Sequence, residues 1–167
     1  LEYKFLNMFT LKTDFGLNLG VGKNKNFVAI ANGGGRGLYQ NSLSESYFTS
    51  NTWIWNNTLN FDRNFGDHHI AGLAGMSMEE GMYEITGSGT VKNFSNQDPA
   101  LRYFSNAGSF PEHVSGTADD YSLMSYFGRV SYEFAGKYLF AANIRADGSS
   151  KFAKDSRWGI FPSISGG

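Results

Sequence analysis

Between Tyr121 and Gly167 two segments of alternating apolar and polar side chains meet at a tight turn, and a period of two is the signature of strands, because successive side chains leave a strand on opposite faces. Met124, Tyr126, Val130, Tyr132 and Phe134 share one parity, and Ser125, Arg129, Ser131 and Glu133 the other. After the tight turn Ala135-Gly136-Lys137 the pattern resumes, with Tyr138, Phe140, Ala142 and Ile144 on one face and Asn143, Arg145 and Asp147 on the other. Two architectures carry such a face pair. In a soluble sandwich the polar face meets water and the apolar face is buried; in a transmembrane barrel the apolar face meets lipid and the polar face lines the lumen. The alternation alone does not separate them.

Composition narrows the class. The chain has 167 residues, 16% of them aromatic, with 21 Gly, three Pro and no Cys. Aromatic side chains are abundant while Leu, Ile and Val are sparse, which suits strands and disfavours a helical bundle. The 14 basic and 15 acidic residues nearly cancel, so the basic stripe expected of a nucleic-acid binder is missing. Without Cys there is neither a disulfide framework nor a thiolate metal site. No run of about 18 apolar residues supports a transmembrane helix, but a barrel strand needs only about 9–11 residues and escapes that test. Leu1-Glu2-Tyr3-Lys4-Phe5 already reads as strand, so the chain is expected to be an interior piece of a longer polypeptide.

Six strands are expected: Phe5 to Val21, Glu45 to Asp62, His68 to Glu80, the two arms of the hairpin around Gly136, and Arg157 to Gly166. The connections alternate in length. Gly22 to Ser44, containing Gly33-Gly34-Gly35-Arg36-Gly37, and Gly81 to Asp120 are long; Arg63 to Asp67 and Ala135 to Lys137 are short; Gly148 to Ser156 is intermediate. An up-and-down barrel places alternate connections on opposite sides, and outer-membrane barrels pair short periplasmic turns with longer extracellular loops. That parity favours a membrane barrel over a soluble sandwich. With it, Tyr126, Val130, Tyr132, Phe140 and Ile144 face outward, and Arg129, Glu133, Asn143, Arg145 and Asp147 are the lumen-facing candidates.

Catalytic chemistry finds little footing. His68-His69 are adjacent on a strand and point to opposite faces, so they do not converge on one ion. The glycine run lacks the Gly-Lys-Ser/Thr ending of a phosphate loop. Asp147-Gly148-Ser149-Ser150 reads more simply as an Asp-Gly turn than as a cation site. Asn56-Asn57-Thr58 and Asn93-Phe94-Ser95 match the glycosylation pattern at chance frequency. No catalytic residue, metal or cofactor is assigned. Trp53 and Trp55 share a strand face and suit an interfacial girdle, with core packing in a sandwich the other reading. Tyr83, Tyr103, Phe104 and Phe110, placed in the longest loop, are candidates for contact with ligand or partner, with self-packing of the loop an equal reading.

An ordered series of segments then narrows the family. Tyr126-Phe127-Gly128-Arg129-Val130-Ser131-Tyr132, Gly136-Lys137-Tyr138-Leu139, Arg145-Ala146-Asp147-Gly148-Ser149-Ser150-Lys151-Phe152 and Arg157-Trp158-Gly159-Ile160-Phe161-Pro162-Ser163-Ile164-Ser165-Gly166 resemble the C-terminal barrel of SusC/RagA-type TonB-linked outer-membrane proteins. Thr52-Trp53, Asn57-Thr58-Leu59, His68-His69-Ile70 and Leu73-Ala74-Gly75 resemble the strands before it. The resemblance implies an all-β antiparallel portion of a 22-stranded transmembrane barrel, without the plug domain. It also implies import of glycans, oligosaccharides or peptides across a Gram-negative outer membrane, with a SusD-like surface lipoprotein, outer-membrane lipid, and TonB acting through an N-terminal part outside this chain. Six strands cannot close such a barrel, so residues 1–167 are expected to be a fragment that transports nothing alone. A soluble β-sandwich that binds carbohydrate, and a structural or adhesive surface β-protein, are the other readings.

Overall fold

The computed structural model describes residues 1–30, 40–111 and 113–167. Among the described residues seven strands occur, β1 (Glu2–Phe5), β2 (Phe9–Val28), β3 (Ser42–Phe65), β4 (His68–Lys92), β5 (Val114–Phe134), β6 (Tyr138–Ser149) and β7 (Trp158–Gly166). They form one sheet in sequence order, β1 to β7, the arrangement of an up-and-down meander. The Gly33–Gly37 run lies outside the described residues.

The seventh strand comes from dividing the segment expected as Phe5 to Val21. Phe5 pairs with Phe9 and Tyr3 with Leu11 in an antiparallel hairpin. Leu6 and Asn7 both adopt positive φ, 51° and 52°. Only Asn7 is a residue that enters the left-handed region readily, so Phe5-Leu6-Asn7-Met8-Phe9 does not advertise a turn. Stacking of Tyr3 on Phe5 at 5.8 Å and of Phe5 on Phe9 at 5.2 Å helps hold the hairpin closed. The second hairpin is the expected one. Lys137 N donates to Phe134 O at 3.0 Å with Ala135 and Gly136 at φ 52° and 69°, a type I′ turn whose twist matches the strands it joins.

Strands also run further than the composition suggests. β4 continues to Lys92 and β5 begins at Val114, which reduces the expected 81–120 loop to residues 93–113. β2 reaches Val28 and β3 starts at Ser42. The Gly- and Ser-rich stretches read as loop because they lack apolar alternation, yet ladder hydrogen bonds need only the backbone. At Gly81 the reason for glycine is steric: a Cβ there would stand 2.4 Å from the Tyr121 ring.

The described residues form two compact units. The first, Leu1–Asn18, Thr52–Gly81 and Asp120–Gly167, contains all three short turns. The β5–β6 register pairs Tyr126 with Ala146, Arg129 with Asn143, Val130 with Ala142 and Tyr132 with Phe140. β7 continues the ladder, with Ile144 opposite Pro162 and Asn143 opposite Ser163. Val130 and Ile144 are 52% and 55% exposed and Tyr126 and Phe140 are also exposed. All seven strands lie in one sheet, so the aromatic set is not packed between two sheets as a soluble sandwich requires.

The second unit, Leu19–Asn51 and Met82–Asp119, holds the small buried core found among the described residues. Leu43, Val91 and Phe94 are buried, with Phe27, Phe104 and Ala107 packed on them. The loop 93–113 is tied to it by Asn41, 1% exposed, whose Nδ2 donates to Phe94 O at 2.8 Å and whose Oδ1 accepts from Phe94 N at 2.6 Å. One side chain thereby satisfies both backbone groups of a buried residue, each of which would otherwise cost about 1–3 kcal/mol.

Candidate functional site

Two faces of the first unit carry different chemistry, and the pleat sorts them. On the polar face Arg145 Nε donates to both oxygens of Asp147 at 2.7 and 2.9 Å, and its Nη2 donates to Ser125 Oγ at 3.1 Å. The guanidinium also lies 5.5 Å from the Phe127 ring centre. Register explains the group: Arg145 sits opposite Phe127 and Asp147 opposite Ser125. Because both ions are partly exposed, the pair is worth only about 0.2–1 kcal/mol, and its larger effect is to fix where the charges stand. Asn143 Nδ2 donates to Ser163 Oγ at 3.2 Å on the neighbouring strand. Arg129 is exposed beside Asn143, and Glu133 is half-buried opposite Leu139.

The same face continues across β4 and β3 with groups that were not singled out from the sequence. Tyr121 Oη donates to Glu79 Oε1 at 2.7 Å, and Ser77 Oγ to Asn56 Oδ1 at 2.6 Å. Parity was available to find Tyr121, since it shares the odd positions of Ser125, Arg129 and Ser131. Glu79 was hidden because small residues, Ala71, Gly72, Ala74 and Gly75, blur the facing of β4, and Asn56 was read only as part of a chance glycosylation pattern.

The opposite face is apolar and has aromatic groups at two levels. Near the short turns, His68 Nδ1 and Tyr132 Oη are 2.7 Å apart, the His68 ring packs on Phe134 at 4.8 Å, Phe134 stacks on Tyr138 at 6.4 Å, and Phe9 packs on Phe61 at 5.2 Å. His69 leaves on the other face and meets Asp62 at 3.2 Å, so the adjacent histidines have separate partners. Further up, Trp53 stacks on Phe15 at 6.4 Å and donates from Nε1 to Glu80 Oε2 at 3.1 Å. Trp55 Nε1 donates to Thr13 Oγ1 at 3.0 Å, and Tyr126 stacks on Trp158 at 6.0 Å. Tyr126 and Phe134 are eight residues apart on β5, about 26 Å along the strand and, at a barrel tilt of about 40°, about 20 Å in height. An outward apolar band flanked by aromatic girdles in an outer-membrane barrel is about 25 Å tall.

In the second unit the exposed apolar positions of β2 end at Leu19 and Val21, and Lys23 and Lys25 follow on the same parity. Glu45 forms ion pairs with both, at 3.0 and 3.3 Å, and the ammonium groups lie over the rings of Tyr47 and Tyr103. Hydrogen bonding to Tyr47 and then to Glu45 raises the Lys23 pKa above its usual lysine value. The aromatic residues expected together in the long loop separate. Tyr83 belongs to β4, not to a loop, and packs on Phe48 at 5.8 Å. Phe104 turns inward onto Leu43, Val91 and Phe94. Tyr103 is exposed beneath Lys25, and Phe110 is 94% exposed. Asp147-Gly148 is not a turn either: both residues lie within β6, opposite Gly159 and Trp158.

A single meandering sheet with one charged face and one exposed apolar face is the wall of an antiparallel barrel that this chain does not close. No family model matches the chain. It is 32% identical over 164 residues, 96% of its length, to TonB-dependent receptor P3 of Formosa agariphila, of which it spans 16%. Over 43 residues it is 56% identical to TonB-dependent receptor SusC of Bacteroides thetaiotaomicron, of which that stretch is 4%. It superposes on the solved RagAB peptide transporter with a TM-score of 0.87 at 18% identity, covering 99% of this chain and 18% of the other. The closed-closed state of the RagAB peptide importer gives 0.88. The chain is a homologue of the TonB-dependent receptors, SusC among them, and corresponds to a segment of a barrel of the SusC/RagA type.

Proposed function

We propose that this segment is part of a TonB-dependent importer in the outer membrane of a Gram-negative bacterium. The observation that carries the reading is the conjunction of alternating connection lengths with an exposed apolar face bounded by aromatic side chains at two levels. In this reading Tyr126, Val130, Phe140 and Ile144 meet lipid, while Arg129, Glu133, Asn143, Arg145 and Asp147 line the lumen. The turns at residues 6–8, 66–67 and 135–137 are periplasmic, and the connections at 29–41, 93–113 and 150–157 are extracellular. Cargo is a glycan, oligosaccharide or peptide, delivered with a SusD-like surface lipoprotein; TonB acts through parts of the protein outside this chain. The segment supplies wall, lumenal charge and mouth, and no chemical step is assigned to it. Deletion of the parent gene should abolish growth on the cargo without changing general permeability, and the protein should fractionate with outer membranes. Recovery in the soluble fraction, or unimpaired uptake by the deletion strain, would refute the reading.

A further inference from the structure

In the second unit a recess of about 380 Å3 opens between β2, β3, β4 and β5, inside the size range of small-molecule sites. Such sites are ordinarily lined by apolar and aromatic side chains, yet among the described residues this one has no Leu, Ile, Val, Met, Phe, Tyr or Trp in its lining. Asn24 and Asn26 border it from β2, Ser44 from β3, Ser88 and Thr90 from β4, and Ser115 from β5. Parity fixes the face. Asn24 and Asn26 alternate with Lys23 and Lys25, and Ser44 adjoins Glu45, whose carboxylate is turned to those two lysines, so the recess lies on the face opposite them. Ser44 Oγ and Thr90 Oγ1 are 2.8 Å apart, and Ser88 Oγ and Ser115 Oγ 2.9 Å, cross-strand contacts that space the hydroxyls. One proton makes the Ser44–Thr90 bond, and the second hydroxyl proton of that pair is left over. The side-chain amides of Asn24 and Asn26 have no hydrogen-bond partner among the described residues.

We propose that this recess is a cargo subsite for a sugar ring, so that the cargo is a saccharide and not a peptide. Every hydroxyl of a sugar both donates and accepts, and hydroxyls and primary amides are the side-chain groups that do the same without charge. A peptide brings apolar and basic side chains as well. For the first the recess supplies no apolar surface, and for the second no free carboxylate, because Glu45, which also borders it, is already paired with Lys23 and Lys25. Lys92 and His113 complete the border and admit a uronic carboxylate as readily as a hydroxyl. The assignment rests on the importer reading above and names the class of its cargo.

The test is calorimetric binding to the purified full-length parent protein in detergent. The probes are linear glucan, mannan, xylan and uronan oligosaccharides and, in parallel, the peptides of a casein digest. At least one saccharide should bind, and the peptides should not. With Asn24→Ala and Asn26→Ala combined, the Kd for that saccharide should rise about tenfold, as the loss of two neutral hydrogen bonds gives, and Ser44→Ala alone should raise it about threefold. Lys23→Gln, on the opposite face, should leave it unchanged, with heat-modifiable migration on gels reporting that each variant is folded. Binding of the peptides, absence of binding to every saccharide, or saccharide binding that survives the paired asparagine substitutions overturns the proposal. Failure of the protein to fractionate with outer membranes would refute the importer reading instead, whatever the purified protein binds.

Discussion

The Phe127 ring lies directly over Gly75 of the neighbouring strand, so close that a Cβ at position 75 would stand 2.5 Å from it and 3.0 Å from the Asn57 carbonyl oxygen. Gly75 therefore has a packing reason that neither helix nor strand propensity supplies, and Phe127 shields a stretch of backbone that a side chain would otherwise cover.

That contact makes the two positions interdependent. Gly75→Ala should cost about 1–3 kcal/mol through overpacking, while in a Phe127→Ala background the same change should cost clearly less. A double-mutant cycle on the urea midpoint of the parent barrel measures the coupling. Additive effects would show that ring and glycine do not meet.

Lipid exposure predicts an asymmetry between adjacent residues of β5. Val130→Arg should lower barrel stability by about 2–4 kcal/mol, the cost of a cation on a lipid face near the midplane, and Ser131→Arg, on the polar face, should be milder. Unfolding in detergent or bilayer decides it, and equal losses would exclude a lipid-facing β5.

In the loop core, Asn41→Ala leaves the buried N–H and C=O of Phe94 without their partner. The expected loss is about 1–3 kcal/mol of local stability. Protease cleavage within residues 95–110 should accelerate, with the hairpin around Gly136 unaffected; unchanged cleavage would show that Asn41 does not hold the loop.

Topology is tested by single cysteines, which the chain lacks. An impermeant thiol reagent applied to intact cells should label Ser105→Cys, exposed in the 93–113 loop, and spare Gly136→Cys in the tight turn. The reverse pattern inverts the orientation.

Replacing residues 95–110 by a short Gly-Ser linker should leave outer-membrane abundance nearly unchanged, because loop length carries a small entropic cost, and should impair uptake. Phe104→Ala should loosen the loop core, whereas Phe110→Ala, wholly exposed, should leave stability within about 0.5 kcal/mol. Normal uptake by the linker variant would take this loop out of the transport account.

What the sequence determined by itself was whatever depends on neighbours along the chain. Parity placed Arg129, Glu133, Asn143, Arg145 and Asp147 together opposite Tyr126, Val130 and Phe140, and glycine marked the turn at Gly136, because side-chain alternation and left-handed φ are local properties. The ordered segments of the last third pointed to the same family as the relatives found by comparison. Tertiary structure decided what depends on cross-strand partners. Leu6 enters a left-handed turn that its residue type disfavours, within a hairpin that Phe5 and Phe9 help close. Tyr83 became part of a strand because backbone pairing needs no apolar side chains, and Phe104 turned inward because Leu43 and Val91, distant in sequence, offered a place to bury it. Gly75, in a strand, Gly81, at the expected start of a loop, and Gly148, expected in a turn, are all places where an aromatic ring meets the backbone.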